Sequence, residues 1–509
     1  MSRPSAVVGL LGGGGELWRY RTYRGGRPVE GSVTELADQG HDVSPAGSSP
    51  TLSGPLLASR HAAAARLRHA YAEIPPGTAV RLAKSTSNLF RFRESGGPGL
   101  VTLDVSAFSG AACVDPETRT AVVGGMTTYE DLADATLRHG LMPLVVPQLK
   151  TITLGGAVSG LGIESSSLRN GLPHESVLEM EILTGDGRVV TARPDSEHAA
   201  LYWGFPNSYG TLGYALWLTI ALEPVAPYVH LRHFRFAGPQ EAMRAVAEIA
   251  REGSYHGHRA DFVDGTAFST DEIYLTVGAH SEVAPWLSDY TGQNIYYQSI
   301  RGPRDDFLTI RDYLWRWDTD WFWCSRAFGV QRPLIRRMWP RRYRRSDVYR
   351  KLVALDRRHR LSSALDARRG APAQESVIQD VEIPVGRSAE FYNFFAATVG
   401  MSPVWLCPLR LRAGRAWPLY PLQPGEVYVN FGFWGNVALP PGARDGYYNR
   451  QVENKVSELG GHKGLYSTSY YSPEEFSRLY NGPAYADLKR EYDPGGRLAG
   501  LYEKCVGGN

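Results

Sequence analysis

The residues best placed for chemistry lie in TLGGAVSGLGIESSSLRNGL (153–172), a segment rich in glycine and serine. Glycine lets a backbone approach a ligand closely or adopt positive φ. Successive free N–H groups in such a loop make a concave anion site, to which serine hydroxyl groups add donors. The stretch therefore suits the pyrophosphate of a dinucleotide, and a surface linker is the alternative. The residues concerned are Gly155, Gly156, Gly160, Gly162, Ser165, Ser166 and Ser167.

Two other polar loops lie beside predicted strands and are candidates to contact the same ligand. KSTSN (84–88) follows an alternating strand, and NSYGTLGY (207–214) precedes the strand YALWLTIALEPV. Three loops at strand ends predict a cradle around an extended dinucleotide. Three ordinary turns are the alternative interpretation.

The elements that must hold these loops alternate between short strands and helices. Residues 61–73 have helical periodicity, and TYEDLADATLRHGL (128–141) predicts a helix that ends at Gly140. SVLEMEILTGDGRVVTARP predicts a hairpin around a Gly-Asp-Gly turn. From about residue 226, strands mix with longer helices, so the predicted fold class is α+β in two lobes. Residues 1–60 are predicted to form an irregular leader.

Bulk properties exclude several classes of protein. A net charge of +3 over 509 residues gives no case for nucleic acid. The four cysteines are far apart, so neither a zinc site nor a disulfide framework is expected, and no metal is predicted. No apolar run is long enough for a spanning helix. A hydrolase or an NTPase is disfavoured because the G-x-S-x-G elbow and the P-loop are both missing.

An aromatic and basic tract occupies 313–345, with YLWRWDTDWFW at 313–323 and RRMWPRRYRR at 336–345. Tryptophan beside arginine is typical of a segment that lies on an anionic membrane surface. The tract therefore predicts peripheral contact at the inner face of a membrane, and the separated cysteines fit a cytoplasmic protein. A buried helix with a solvated basic face is the alternative. Trp321, Trp323 and Trp434 are further candidates to line a substrate site.

The order of these segments resembles the FAD-binding domain of the vanillyl-alcohol-oxidase, or PCMH-type, flavoprotein superfamily. Within it, 153–172 is similar to the corresponding loop of the Δ24-sterol reductases. The likeness covers roughly 61–509 and includes FVDGTAFS, VWLCPLRL, EVYVNFGFWG and GLYSTSYYSPEEF. It implies a two-subdomain PCMH-type FAD-binding domain over 61–226 and an α+β substrate or cap domain over 227–440. Residues 441–509 are expected to return toward the flavin.

The resemblance implies noncovalently bound FAD. Relatives tether the flavin through a His or Cys in a flavin-facing loop, and the loops at 84–88 and 153–164 contain neither. The loop at 84–88 also lacks the glycines usual in the superfamily, and Tyr209 stands where many members have an acid or serine. The cofactor residues carried over by motif are Lys84, Ser85, Thr86, Ser87, Asn88, Thr153, Leu154, Gly155, Gly156, Gly160, Gly162, Ile163, Glu164, Ser165, Gly210, Thr211, Leu212 and Gly213.

The resemblance also implies reduction of an isolated C=C bond in a sterol, isoprenoid or other lipid, with NADPH or NADH as electron donor. Flavin N5 gives a hydride to one alkene carbon, and a side-chain acid protonates the other. Tyr466 matches the family tyrosine and is the expected acid, with Tyr470 and Tyr471 as alternatives. Glu164 is a candidate to orient the flavin ring or the acid. Each tyrosine has a structural alternative as a packed, hydrogen-bonded aromatic.

Two other functions stay open at the level of sequence. One is an FAD-dependent oxidase or dehydrogenase of an alcohol carbon, as in the broader superfamily. The other is a non-catalytic, membrane-docked protein that binds a lipid. Oxygen consumption without NADPH would favour the first, and colourless protein that binds liposomes would favour the second.

Overall fold

The computed structural model describes residues 22–24, 27–29, 54–84, 90, 99–359 and 372–506. The chain divides into two units, Met1–Gly47 and Ser48–Asn509. In the first unit, the described residues form an antiparallel hairpin of β1 (Thr22–Arg24) and β2 (Arg27–Val29). The predicted irregular leader therefore contains a hairpin, and its last residues, 54–60, are helical. The candidate site lies in the second unit.

The second unit begins with one long helix and a pair of parallel strands. The helix α1 (Gly54–Ala72) buries Leu67 and Tyr71, which the helical period places on one side. These side chains share a hydrophobic core with the parallel strands β3 (Val80–Leu82) and β4 (Val101–Leu103). Lys84 lies two residues after the end of β3, and the rest of the loop predicted at 84–88 lies outside the described residues.

The first large sheet has six strands, and all of its pairings are antiparallel. The strands are β5 (Ala111–Asp115), β6 (Thr120–Gly124), β7 (Leu141–Pro143), β8 (Val177–Leu183), β9 (Val189–Ala192) and β10 (Tyr214–Pro224). Their order is β5-β6-β10-β8-β9, with β7 also beside β10. The predicted hairpin is confirmed as β8–β9, and its turn contains Gly187 at a φ of 88°. A positive φ of this kind suits glycine, which has no Cβ.

The second large sheet has eight antiparallel strands in the order β16-β11-β15-β14-β18-β19-β17-β20. The strands β12 and β13 form a separate antiparallel pair. The strands are β11 (Tyr228–Phe236), β12 (Ser254–Tyr255), β13 (His258–Arg259), β14 (Phe262–Ser269), β15 (Glu272–Ser281), β16 (Asp305–Thr309), β17 (Gln374–Pro384), β18 (Val404–Leu409), β19 (Tyr428–Ala438) and β20 (His462–Lys463). The architecture is α+β, as the sequence predicts.

The remaining helices connect and cover the sheets. They are α2 (Tyr129–Leu137), α3 (Leu154–Ser159), α4 (Ser167–Asn170), α5 (Ala199–Gly204), α6 (Pro239–Glu252), α7 (Tyr296–Ser299), α8 (Ile310–Leu314), α9 (Pro333–Met338), α10 (Ser346–His359), α11 (Val385–Thr398), α12 (Tyr447–Glu458), α13 (Pro473–Leu479), α14 (Gly482–Tyr492) and α15 (Leu501–Cys505). The helices α6, α11 and α12 share a hydrophobic core with one face of the eight-stranded sheet. On β17, Val377 and Val381 point into that core. Because side chains alternate along a strand, Asp380 and Glu382 point to the opposite face.

Residues after β20 return to the strands near the start of the second unit. The backbone N–H of Val80 donates to the Arg497 carbonyl oxygen at 3.0 Å. Phe90 forms a parallel bridge with Ser467, and α14 packs against α5. The division at 226 and 440 stays a proposal, and the first of these positions lies between β10 of the first sheet and β11 of the second.

The aromatic part of the tract at 313–345 is buried, so its tryptophans do not face a membrane, and membrane contact through the rest of the tract stays a prediction. Trp315, Trp317, Trp321 and Trp323 are between 1% and 7% exposed. Their rings fill the core beside the eight-stranded sheet, and the buried alternative holds here. In the basic part, Arg336 is also buried and binds main-chain carbonyl groups. Within the described ranges, no helix has the length and apolar character needed to cross a membrane.

Candidate functional site

A cavity of about 870 Å³ opens where the glycine stretch, the second glycine cluster and the eight-stranded sheet meet. Ligand sites commonly have volumes of roughly 300–1,000 Å³, so this cavity fits a large ligand. The predicted site residues that line it are Lys84, Thr153, Gly155, Gly156, Gly160, Gly162, Ile163, Gly210, Gly213 and Tyr466. The structure therefore brings both glycine clusters and the start of the loop at 84–88 to one space. Ser85, Thr86, Ser87 and Asn88 lie outside the described residues.

Six of the predicted residues do not line the cavity. Leu154, Thr211 and Leu212 are at most 1% exposed, and the apolar side chains of the two leucines pack into the hydrophobic core. Ser165 also points elsewhere, because its hydroxyl group shares a hydrogen bond of 2.6 Å with the Tyr313 hydroxyl. The other two residues, Glu164 and Tyr471, are described below.

The glycines at 155 and 156 form a wall that is closely packed, not an array of free donors. The N–H of Gly155 donates to the Gly125 carbonyl at 2.9 Å, and that of Gly156 donates to Thr153 Oγ1 at 3.3 Å. The predicted anion site of free N–H groups is therefore wrong for these residues. A Cβ at Gly156 would lie 2.9 Å from Thr153 Oγ1 and 3.3 Å from Lys84 Nζ. A side chain at this position would therefore displace those two groups.

Positive charge reaches the cavity from three side chains, Arg81, Lys84 and Lys504. Lys84 Nζ donates to Thr153 Oγ1 at 2.9 Å, and Lys504 Nζ donates to the Tyr209 carbonyl at 2.6 Å. The Lys84 side chain is exposed toward the cavity, yet the surrounding protein and the nearby Arg350 charge lower its pKa to about 8. A bound anion would favour the charged ammonium and raise this pKa again. Arg81, Lys84 and Lys504, which together are called the basic group, therefore fit a ligand that carries phosphate.

A second part of the lining is aromatic and comes mainly from the eight-stranded sheet and the buried tract. It consists of Phe90, Trp321, Phe322, Trp405, Trp434 and Tyr466. The rings form a connected set, since Phe90 stacks on Trp321 at 5.7 Å and Phe322 contacts Trp434 at 4.3 Å between centroids. Trp323 lies behind the wall, against Trp434. Such a surface accepts a flat ring system or an apolar chain.

Trp321 and Phe322 are held in the left-handed backbone region, with φ values of 47° and 59°. Large residues rarely adopt this conformation, and each instance costs about 1–3 kcal/mol. The surrounding core fixes both rings toward the cavity, since both are less than 8% exposed. Strain of this kind clusters at functional sites, which supports a role for this wall in ligand binding.

Tyr466 and Asp380 form a hydrogen-bonded pair at the aromatic wall. The indole N–H of Trp434 donates to the Tyr466 hydroxyl oxygen at 2.9 Å, and that hydroxyl donates to the Asp380 carboxylate. Asn430 Nδ2 donates to Asp380 Oδ1 at 3.1 Å. Desolvation raises the pKa of Asp380 from its ordinary value of 3.8 to about 7, although the bonds from Asn430 and Tyr466 oppose the shift. The pair therefore places an exchangeable proton in the cavity near neutral pH.

Asp380 was not among the residues predicted for the site, although the sequence contains a signal for it. In VIQDVEIP, two acids alternate with apolar residues inside a strand. Lone acids in the middle of a buried strand are rare unless they have partners. Among the described lining residues, Asp380 is the one carboxylate.

Glu164 does not reach the cavity, contrary to the prediction that it orients the flavin or the acid. Its Oε1 binds the Arg316 guanidinium at 2.9 Å, and the same guanidinium binds Asp264 Oδ2 at 2.6 Å. All three side chains are at most 3% exposed. Glu164 follows the glycine run directly, so this buried ion triad ties the cavity wall to β14 of the eight-stranded sheet.

Tyr471 is also placed away from the cavity. Its ring lies 6.1 Å from that of Tyr480, and its carbonyl oxygen accepts a bond from the Tyr502 hydroxyl. Four residues separate it from Tyr466, and the irregular backbone between them sends the two side chains to different places. The other alternative, Tyr470, donates its hydroxyl to Asp445 at 2.8 Å and does not line the cavity.

Metal binding has no support in the part of the chain that the structure describes. There, no group of three or more His, Cys, Asp or Glu side chains is arranged to hold an ion.

Comparison with known proteins gives a match that agrees with this geometry. Residues 58–193 match the family model described as an FAD binding domain. The Delta(24)-sterol reductases of Rattus norvegicus and Homo sapiens are each 26% identical to the chain over 355 residues, which is 64% of this chain and 62% of the relative. That of Arabidopsis thaliana is 24% identical over 369 residues, which is 66% of this chain and 64% of the relative. The match thus spans less than two thirds of these relatives' length.

Proposed function

Because the chain carries a PCMH-type FAD-binding domain and is similar to Δ24-sterol reductases, we propose that it is an FAD-dependent reductase of a lipid. The bond reduced is an isolated C=C bond in a sterol, isoprenoid or other lipid, and NADPH or NADH is the electron donor. One observation carries this proposal. The basic group, the glycine wall, the aromatic wall and the Tyr466–Asp380 pair all border the same cavity.

FAD fits the residues that are present. Lys84, Arg81 and Lys504 offer positive charge to its phosphates, and the Gly155–Gly156 wall offers close backbone approach. Among the described lining residues, none is a His or a Cys, which supports noncovalent binding. Bound FAD supplies the hydride of the reaction.

The aromatic wall supports a lipid substrate. An unactivated alkene accepts a hydride only when the positive charge that develops on its other carbon is stabilised. The faces of Trp405 and Trp434 attract positive charge, and an ionised Asp380 adds to that attraction. These side chains also exclude water, which keeps the reacting carbon in a dry environment.

Tyr466 is the proposed proton donor. Burial and the neighbouring Asp380 raise its pKa well above the ordinary value, so its hydroxyl stays protonated until a reaction partner takes the proton. The bond from Trp434 fixes the hydroxyl oxygen in the cavity. Glu164 and Tyr471 are not proposed to act on the substrate, because the former is held by Arg316 and the latter lies outside the cavity.

The test begins with the purified protein and its flavin absorbance. Anaerobic addition of NADPH should bleach the flavin, and a lipid alkene from a panel of sterols and isoprenoids should restore its colour. Tyr466→Phe should slow the restoration by about 10²–10⁴-fold, the usual contribution of a general acid, without changing the bleaching. Tyr471→Phe is the matched control. Flavin that is restored only by oxygen would contradict the proposal and favour an oxidase.

Peripheral membrane contact is proposed through a surface other than the buried tryptophans. Leu334 and Met338 are 77% and 76% exposed and lie one turn apart on α9. Arg337 and Arg341 are exposed beside them. Apolar side chains flanked by arginine suit an anionic bilayer surface. Leu334→Glu with Met338→Glu should abolish cosedimentation with phosphatidylserine vesicles, whereas unchanged binding would contradict this contact.

A further inference from the structure

A second acid lies behind the Tyr466–Asp380 pair. Glu382 is two residues from Asp380 on β17, so both side chains are on the same side of the strand. Glu382 is fully buried, and its carboxyl group accepts a hydrogen bond from the Tyr420 hydroxyl. Desolvation, together with the charge of Asp380, raises its pKa well above the ordinary value. Burial of the whole side chain therefore favours the protonated form of Glu382.

His462 lies on the other side of Glu382, toward the surface. The two residues are opposite each other in the antiparallel pairing of β17 with β20, which brings their side chains together on one face. The His462 ring is half-buried, lies 5.7 Å from that of Tyr420 and donates one N–H to the Pro421 carbonyl. His462 is thus the more exposed of the two residues.

Two buried polar atoms at this pair lack a hydrogen-bond partner among the described residues. They are Glu382 Oε1 and His462 Nδ1. Buried polar atoms are rarely left unpaired, and a water molecule commonly joins such groups. His462, Glu382 and Asp380 are therefore neighbours on one face of the paired strands, and Asp380 lines the cavity.

We propose that Glu382 is a proton store that recharges the Tyr466–Asp380 pair after each turnover, and that His462 admits the replacement proton. The inference rests on the proposed function. When the Tyr466 O–H bond breaks and its proton goes to the alkene carbon, the ionised Asp380 takes the proton of Glu382 and passes it to the phenolate. Asp380 thereby returns to its ionised form, and Glu382 regains a proton from solvent through His462. No electrons move in these steps, and one proton is taken up for each hydride delivered.

The charged and titratable groups around Glu382 fit this role. Asp380 faces it from the same strand, Tyr420 from the loop beside it, and His462 from β20. Tyr471 and Tyr480 lie within electrostatic range, and the charge of Glu382 raises the pKa of both. The adjacent Lys463 is paired with Glu453 at 2.5 Å, so its charge is already neutralised.

Kinetics separate proton storage from a structural role. In Glu382→Gln, the first turnover after mixing reduced enzyme with the alkene should match the wild-type rate, because Tyr466 starts protonated. Later turnovers should slow by at least tenfold. Glu375→Gln is the control, since Glu375 is a fully buried carboxylate on the same strand that binds Asn449. Equal slowing of the first and later turnovers, or of neither, would overturn the inference. Failure of the wild type to reduce any alkene would instead refute the proposed function.

A second measurement does not depend on turnover. The infrared difference between the wild type and Glu382→Gln at pH 7 should contain the C=O stretch of a protonated carboxylic acid. Asp380→Asn should shift the pH at which that band disappears to lower values, because Asp380 no longer places a negative charge beside Glu382. Absence of the protonated band in the holoenzyme would overturn the inference.

Discussion

Replacing Asp380 by asparagine should make the protein more stable at neutral and alkaline pH. In the folded state the pKa of Asp380 is about 7, whereas its ordinary value is 3.8. The folded protein therefore binds a proton more tightly than the unfolded chain does. The cost of ionising this carboxylate in the folded state grows as pH rises from about 4 and is complete above about 7. Asparagine has the shape of the neutral acid and carries no such cost.

The expected magnitude follows from the two pKa values. Each pKa unit corresponds to 1.36 kcal/mol, so a difference of about 3 amounts to roughly 4 kcal/mol. Because Asp380 is partly exposed to the cavity, screening lowers this figure, and about 2–4 kcal/mol is expected. The two proteins should have similar stability near pH 4. At pH 8, the free energy of unfolding of Asp380→Asn should exceed that of the wild type by this amount.

Urea unfolding at several pH values checks this prediction. The FAD concentration is held fixed and saturating, since a bound ligand changes the apparent stability. Taking the difference between variant and wild type at each pH cancels the titration of all other groups. Asp195→Asn, at an exposed aspartate, is the control and should show no such trend. A difference between Asp380→Asn and wild type that stays constant from pH 4 to 8 would refute the reasoning.

Two further predictions concern the cavity wall and the ion triad. Gly156→Ala should weaken FAD binding at least tenfold by fluorescence titration, since its Cβ would lie 2.9 Å from Thr153 Oγ1; Gly386→Ala, with open space around its Cβ, should bind normally. Arg316→Met leaves Glu164 and Asp264 buried without their counter-ion and should destabilise the fold by about 3–5 kcal/mol in thermal unfolding. Arg311→Met removes an exposed ion pair and should cost under about 1 kcal/mol. Equal effects of the two arginine substitutions would contradict the assigned burial.

Local patterns predicted much of the fold. The α+β class, the hairpin β8–β9 and the helix after Thr128 follow from hydrophobic period, a glycine turn and a threonine cap. The glycine stretch also reaches the cavity, as its composition suggests. These features depend on residues that are close together in the chain, so a sequence contains enough information to recognise them.

Contacts between distant residues account for the differences. Glu164 looks available in the sequence because its partner, Arg316, belongs to a segment far along the chain. The tryptophans at 315–323 have the composition of a membrane-binding segment, but in the fold they pack in the core beside the eight-stranded sheet. The N–H groups of Gly155 and Gly156 are occupied by Gly125 and Thr153, which loop composition does not reveal. Asp380 gains its significance from burial and from Tyr466, and both depend on the tertiary fold.

The cavity wall is assembled from residues that a ribosome adds at very different times. The glycine clusters emerge first, but Tyr466 and Lys504 belong to the segment that returns to them after the eight-stranded sheet. Because the ribosome adds about 5–20 residues per second, many seconds pass between synthesis of the glycine clusters and synthesis of the residues that enclose the cavity. Under the proposed function, FAD would therefore be enclosed only late in synthesis. A chain arrested before Tyr466 would expose the unfinished site to the quality-control machinery of the cell.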